Sequence, residues 1–301
     1  MPVSVPRAGT ASEARAAWLL LAPGLTIIAG FFFLPIAAAL VLSFTDFDIY
    51  ALGDPANVRW VALDNYAHLL GDRVFWLALG NVGYFSLLGV PLTLAAALAA
   101  AHLVNSRLLR CKGLARTVFF APWVTTLVAV AIVFKYLLHT RYGLLNRGLE
   151  LLGLQPVDWL GDPRWALPAI VLLSVWKNFG YGMILFVAGL QAIPESLYEA
   201  ARLDGAGRWQ QVRHVTLPVL WPTLLFVGLI TTLGYLQLFA EPYVMTAGGP
   251  LNRTLSVVLL MYKEGFRWWH MGYAAAIAFA LFAVSLAVTA LHGRLEKRYG
   301  T

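Results

Sequence analysis

Ser174, Lys177, Asn178 and Tyr181 stand at i, i+3, i+4 and i+7 in an otherwise apolar run. On an α-helix that spacing puts all four side chains on one stripe. They offer hydroxyl, ammonium, amide and phenol groups, and Trp176 and Phe179 supply further aromatic surface nearby. Hydrogen-bonding groups beside an aromatic face suit a polyhydroxylated solute such as a sugar. The same residues also suit plain helix–helix packing, because small and polar side chains join helices in lipid. Both readings turn the stripe away from lipid. Lys177 is near the middle of its run, where an ammonium costs about 2.5–3.5 kcal/mol on insertion scales.

A second polar feature is EAARLDGAGRWQQVRHVTLP, residues 199–218, set between two long apolar segments. Pro194 favours a helix start, and Glu195 to Arg202 continue as good helix, with the acids early and the arginine late, as the helix dipole prefers. Leu197, Ala200 and Ala201 form a small apolar stripe, and Gly205 can take the left-handed conformation that ends a helix. A second short helix, Arg208–Val215, leads through Leu217-Pro218 into the next apolar segment. The expected object is a rigid helix–turn–helix whose Ala/Leu face fits a partner's groove in the water phase. A plain hairpin would show the same periodicity.

The elements that position these residues follow from composition. The chain has 301 residues, 60% hydrophobic and 12% charged, against about 25% charged in soluble domains. The solvent for much of its surface is therefore lipid. Six segments are long and apolar enough to span: Trp18–Phe44, Val74–His102, Thr117–Leu138, Trp165–Leu190, Leu217–Ala240 and Gly272–Leu291. They must be helices, because lipid leaves backbone groups no other partner and the residue alternation of a barrel is missing. The fold class is an all-α integral membrane protein with six transmembrane helices. Pro35 and Pro91 fall inside spans and can kink them. The first span is too long for a signal-peptide core and is expected to be retained.

Positive charge sets the orientation. With both termini inside, twelve Lys and Arg face the cytoplasm and eight the opposite side, while Lys135 and Lys177 lie in spans. The loop holding Arg107, Arg110, Lys112 and Arg116 contains no acid, whereas 45–73 carries Asp46, Asp48, Asp54, Asp64 and Asp72. This favours N-in and C-in. Tryptophans 18, 76, 165, 221, 268 and 269 fall near span ends, as interfacial aromatics do. Lys135, near a span end, is expected to snorkel. The net charge of +7 is accounted for by this topology and by anionic lipid, so no nucleic-acid partner is expected. Cys111 stands alone, an idle or a reactive thiol in the basic loop.

Other chemistries lack their residues. The sequence holds no phosphate-binding G-x-x-x-x-G-K-[ST] loop, no H-E-x-x-H and no G-x-S-x-G, and its six histidines show no i, i+4 pair. No catalytic residues, metal or cofactor are expected, so the chain is not an enzyme. No Asp or Glu falls inside the six segments, which argues against a proton- or sodium-coupled carrier.

Glu199-Ala200-Ala201, three residues, Gly205, nine residues and then Val215-x-Leu217-Pro218 resembles the EAA signature of binding-protein-dependent ABC importer permeases. AGLQAIPESLYEAARLDGA (188–206), PYVMTAGGPLNRT (242–254) and MGYAAAIA (271–278) resemble the carbohydrate-uptake branch, the first permease of maltose-, lactose- or glycerol-phosphate-type systems. The resemblance spans roughly 74–291 and implies a type I ABC importer permease in the bacterial inner membrane. It divides the chain into a cytoplasmic tail 1–16, a first helix and outer loop 17–73, a core 74–293 with a coupling loop 191–216, and a tail 294–301. The implied partners are a second permease subunit, two ATP-binding subunits that hold the ATP and magnesium, an extracytoplasmic solute-binding protein and membrane lipid. Glu199, Ala200, Ala201, Asp204 and Gly205 would couple to the ATPase. Substrate would meet Ser174, Lys177, Asn178 and Tyr181, with Thr231 and Tyr235 corresponding in the next span and Gln237 pointing elsewhere. The substrate would be a di- or oligosaccharide. Lys177, where maltose-type relatives carry an uncharged residue, leaves room for glycerol 3-phosphate, a phosphodiester or polyol, or for a carboxylate of the second permease. The turn at Gly248-Gly249-Pro250 would cap the cavity or simply connect.

Overall fold

The computed structural model describes residues 11–106 and 109–299; Arg7 and Arg107 of the charge pattern lie outside them. Helix α1 (Ala11–Ile28) passes through a π-helical turn at Ala29–Phe33 into α2 (Leu34–Leu42). Pro35 has no N–H to donate back into the preceding turn, and the ladder widens just before it. Two short helices, α3 (Ile49–Gly53) and α4 (Asp64–Gly71), lead to α5 (Arg73–Asn105), which runs unbroken through Pro91.

The third predicted span is not one helix. α6 (Lys112–Val124) and α7 (Leu127–Leu137) meet at 96°. Pro122 removes an N–H and crowds the carbonyl one turn back. Thr125 and Thr126 then adopt extended backbone, with ψ of 149° and 133°, and the Thr125 hydroxyl donates to the Pro122 carbonyl at 2.6 Å. After α8 (Leu144–Leu151) comes α9 (Ala166–Gln191), the fourth span. The connection between α8 and α9 is organised by buried Asn146. Its amide donates to the carbonyls of Thr140 and Val157 and accepts from Val157 N–H and Trp159 Nε1.

Then follow α10 (Glu195–Leu203), α11 (Arg208–Gln211) and, through a π-helical turn at Val212–Thr216, α12 (Leu217–Leu236). The fifth span ends at Leu236, short of the expected Ala240. The chain turns there and forms α13 (Ala240–Met245) and α14 (Val257–Tyr262) before α15 (Met271–Tyr299). Five helical stretches are long and apolar enough to span, and α6 with α7 passes the same test as one bent span. Among the described residues there is no strand, only an isolated bridge between Thr45 and Trp60.

α5 and α9 form the centre. Gly182 lies against Ala97 and Val227, Gly189 against Leu220 and Thr223, and Gly89 under the Tyr235 ring. Small residues let helix axes approach, so dispersion replaces the hydrophobic drive that lipid withholds. Gly180 rests directly on the Phe119 carbonyl of α6. The first span differs: it leans on α15 through α2, and its apolar side chains remain largely exposed. A Cβ at Gly180 would collide with α6 backbone, whereas one at Gly80 would meet open space. Gly180→Ala should therefore cost about 1–3 kcal/mol by overpacking, seen as a lower melting midpoint in detergent. Gly80→Ala should leave that midpoint in place.

Candidate functional site

The break between α6 and α7 exposes carbonyls that have no helical partner. Lys177, on α9, answers it: its Nζ donates to the carbonyls of Pro122 (3.1 Å), Trp123 (3.2 Å) and Thr125 (2.9 Å). An ammonium has three N–H groups, and here each has an acceptor. It also sits 5.8 Å from the Trp123 ring centroid. The C-terminal end of a helix carries partial negative charge, so the cation also complements the α6 dipole.

Beside this junction α6, α7, α9, α12 and α13 line an open cavity of about 520 Å³. Lys177, Asn178, Tyr181, Thr231 and Tyr235 line it. Tyr181 stacks on Trp123 at 4.6 Å and 19°. Ser174 does not reach the wall; it is fully buried and donates its hydroxyl to Glu241 Oε1 at 3.2 Å. The Thr231 hydroxyl donates to its own helix at Val227, and the Tyr235 hydroxyl pairs with Thr93 Oγ1 at 2.7 Å. Both therefore present mainly apolar surface to the cavity.

Several residues fall elsewhere than the sequence suggests. Trp176 packs on Phe134 and Phe179 on Phe119, so neither supplies aromatic surface to the cavity; Trp123 and Phe239 do. Gln237, expected to point away, lines the cavity because the helix ends one residue before it. Glu241 is the residue sequence reasoning missed. It lies one position beyond the expected end of the fifth span, yet it is 8% exposed and on the cavity wall. An acid followed by proline directly after an apolar run was the available signal. Lys135 is exposed in the last turn of α7, as a snorkelling residue would be.

At the far end of α9 the polar loop is the expected helix–turn–helix. α10 is braced by an Arg202–Glu195 ion pair at 2.6 Å, and Gly205 ends it with φ of 78°. The Tyr198 hydroxyl pairs with Thr216 Oγ1 at 2.9 Å and ties α10 to the base of α12. Ala200, Ala201, Asp204 and Gly205 lie on a shallow groove with Gln210, His214 and Val215, and Glu199 is exposed beside it. The segment 245–254 is held by its neighbours. Asn81 of α5 donates to the carbonyls of Asn252 and Leu255, and the Thr246 and Thr254 hydroxyls pair at 2.6 Å.

With this geometry in view, the likenesses to known proteins are consistent with one another. Residues 89–301 match the family described as binding-protein-dependent transport system inner membrane component. The lactose transport system permease protein LacF of Rhizobium radiobacter is 38% identical over 269 residues, covering 88% of each chain. The trehalose/maltose transport system permease protein MalF of Thermococcus litoralis is 34% identical over 280 residues, 93% of each chain. In fold, the chain resembles one from a bacterial ABC transporter that imports the acidic polysaccharide alginate. The TM-score is 0.80 at 23% identity, over 96% of this chain and 99% of that one.

Removing the ammonium should loosen the break. A hydrogen bond to a charged group contributes about 1.5–3 kcal/mol, so Lys177→Met should raise amide exchange around Pro122–Leu127 by about tenfold or more. Hydrogen–deuterium exchange read by mass spectrometry checks this, with the α5 amides as the unchanged reference.

Proposed function

Because this chain belongs to the family of binding-protein-dependent transport system inner membrane components, we propose that it is the permease subunit of an ATP-driven carbohydrate importer, forming half of the translocation path. The observation that carries this reading is convergence. The polar stripe of α9 and the inner face of α12 meet on one cavity, whose volume suits a small ligand. The stacked Trp123–Tyr181 pair and the Asn178 and Gln237 amides give that cavity the aromatic-plus-amide character a sugar needs. Relatives named for lactose and for trehalose/maltose transport support a di- or oligosaccharide.

The α10–α11 hairpin is the coupling element. Glu199, Ala200, Ala201, Asp204 and Gly205 dock in a cleft of a cytoplasmic ATPase, with N- and C-termini on that same side. The hairpin joins α9 to α12 with little slack, since α11 runs on into α12. Movement of the ATPase pair thus reaches α9 and α12, two of the helices that wall the cavity. The full assembly holds a second permease, two ATPase subunits that bind ATP and magnesium, and a solute-binding protein that delivers substrate on the far side. Switching between inward- and outward-open states moves the solute, and this chain couples that switch to hydrolysis performed by its partners. Glu241 removes one sequence argument against an ion-coupled carrier, but family membership outweighs it.

Substrate-stimulated ATPase activity of the purified assembly tests the reading. A panel of disaccharides, oligosaccharides and glycerol 3-phosphate should give stimulation by at least one sugar, and a response to glycerol 3-phosphate alone would overturn the substrate class. Tyr181→Ala should lower sugar uptake by about fivefold, from roughly 1 kcal/mol of lost stacking. Gly205→Val forces a β-branched residue into left-handed backbone at about 1–2 kcal/mol, and Glu199→Lys reverses an exposed charge. Both variants should still reach the membrane while uptake collapses, measured in vesicles beside ATP hydrolysis. Normal uptake by both would remove the docking role.

A further inference from the structure

We infer that the cavity excludes anions and admits uncharged polyhydroxylated solutes, with Glu241 as the specificity-determining residue. The inference rests on the cavity being the solute path and names the charge class that the path accepts.

A lysine on a cavity wall invites the opposite conclusion, that a phosphate, carboxylate or sulfonate binds there. The geometry argues against it. All three ammonium donors of Lys177 are engaged, at 2.9–3.2 Å, by carbonyls of Pro122, Trp123 and Thr125. An incoming anion could win a hydrogen bond only by displacing one of those carbonyls, of which Pro122 alone keeps a second donor, the Thr125 hydroxyl. The positive charge is partly offset at the break by oxygen dipoles and the end of α6, although Glu241 on the same wall still feels it.

Glu241 is less fully paired, with the Lys177 charge acting on it only at a distance. It is 8% exposed, and its Oε1 receives one side-chain donor, the Ser174 hydroxyl. No ion pair joins it to Lys177 or to any other cation among the described residues. Ionised, it repels a second negative charge across a few ångströms of poorly screening medium. Protonated, it donates to a hydroxyl oxygen. A neutral polyol suits both forms, and the ionised form is the one that turns an anion away. Apart from Lys177, the remaining polar groups on the wall are the Asn178 and Gln237 amides, the Tyr181 phenol and the internally bonded hydroxyls of Thr231 and Tyr235, all of them uncharged.

The assembled importer tests this whichever solute it carries. With Cys111→Ser removing the native thiol, Gln237→Cys places a reporter on the exposed rim of the cavity. Its modification is followed by mass spectrometry of this chain's peptide with three methanethiosulfonates: sulfonatoethyl (anionic), hydroxyethyl (neutral) and trimethylammonioethyl (cationic). Each rate is divided by that reagent's rate with free thiol. The anionic reagent should be slower than the neutral one by about tenfold. Adding Glu241→Gln should bring the anionic rate to within about twofold of the neutral one. An anionic rate equal to or above the neutral one overturns the inference, as does a discrimination untouched by Glu241→Gln. The ordering without the Glu241 change is decisive even if that variant fails to assemble. The underlying reading fails separately: a sugar that the importer takes up, such as lactose or maltose, would then leave the thiol unprotected against the neutral reagent.

Discussion

The contact between the Lys177 ammonium and the three carbonyls at Pro122, Trp123 and Thr125 is the constraint from which the rest of the site follows. In lipid an unpaired carbonyl is expensive, and a helix that bends by 96° produces several at once. A cation on the neighbouring helix resolves both problems. The broken helix supplies acceptors to a charge that could not otherwise be buried, and the charge supplies donors to a backbone that could not otherwise turn. Each is stable because the other is present.

The bend has consequences for packing. α6 stays on α9, held close by Gly180 against the Phe119 carbonyl, while α7 departs and rests on α13. The cavity lies beside this junction, lined mainly by α9, α12 and the segment 237–241. Its floor and walls are fixed by short polar ties between helices: Thr93 to Tyr235, Ser174 to Glu241, and Ser256 to the Leu238 carbonyl. At the other end of α9 the hairpin is tied by Tyr198 to Thr216, so displacement of α10 is felt at the base of α12. The cavity and the hairpin therefore share two helices, α9 and α12.

How much of this was legible depends on the range of the physics involved. The helical stripe of Ser174, Lys177, Asn178 and Tyr181 is a matter of local period, and three of the four do reach the cavity. The hairpin was equally legible, because Gly205 and the flanking charges act within one or two turns. The aromatic partners were not. Trp176 and Phe179 lie beside the stripe in sequence but face α7 and α6, whereas Trp123 comes from a helix more than fifty residues away. Glu241 was hidden for a related reason. An apolar window cannot show where a helix stops, and four residues of difference at the end of α12 turn a presumed loop acid into a buried wall residue.

The sequence by itself determined the solvent, the number of apolar segments and the polar hairpin, because charge depletion and residue period act over one span at a time. It also disfavoured a lipid-facing Lys177, since the cost of an ammonium there follows from its depth in the span. What the ammonium faces instead was a tertiary decision. The proline and two threonines that break the third span permit many directions. Only the arrival of α9 with its lysine, and of α13 with its carboxylate, selects one and leaves a cavity between them.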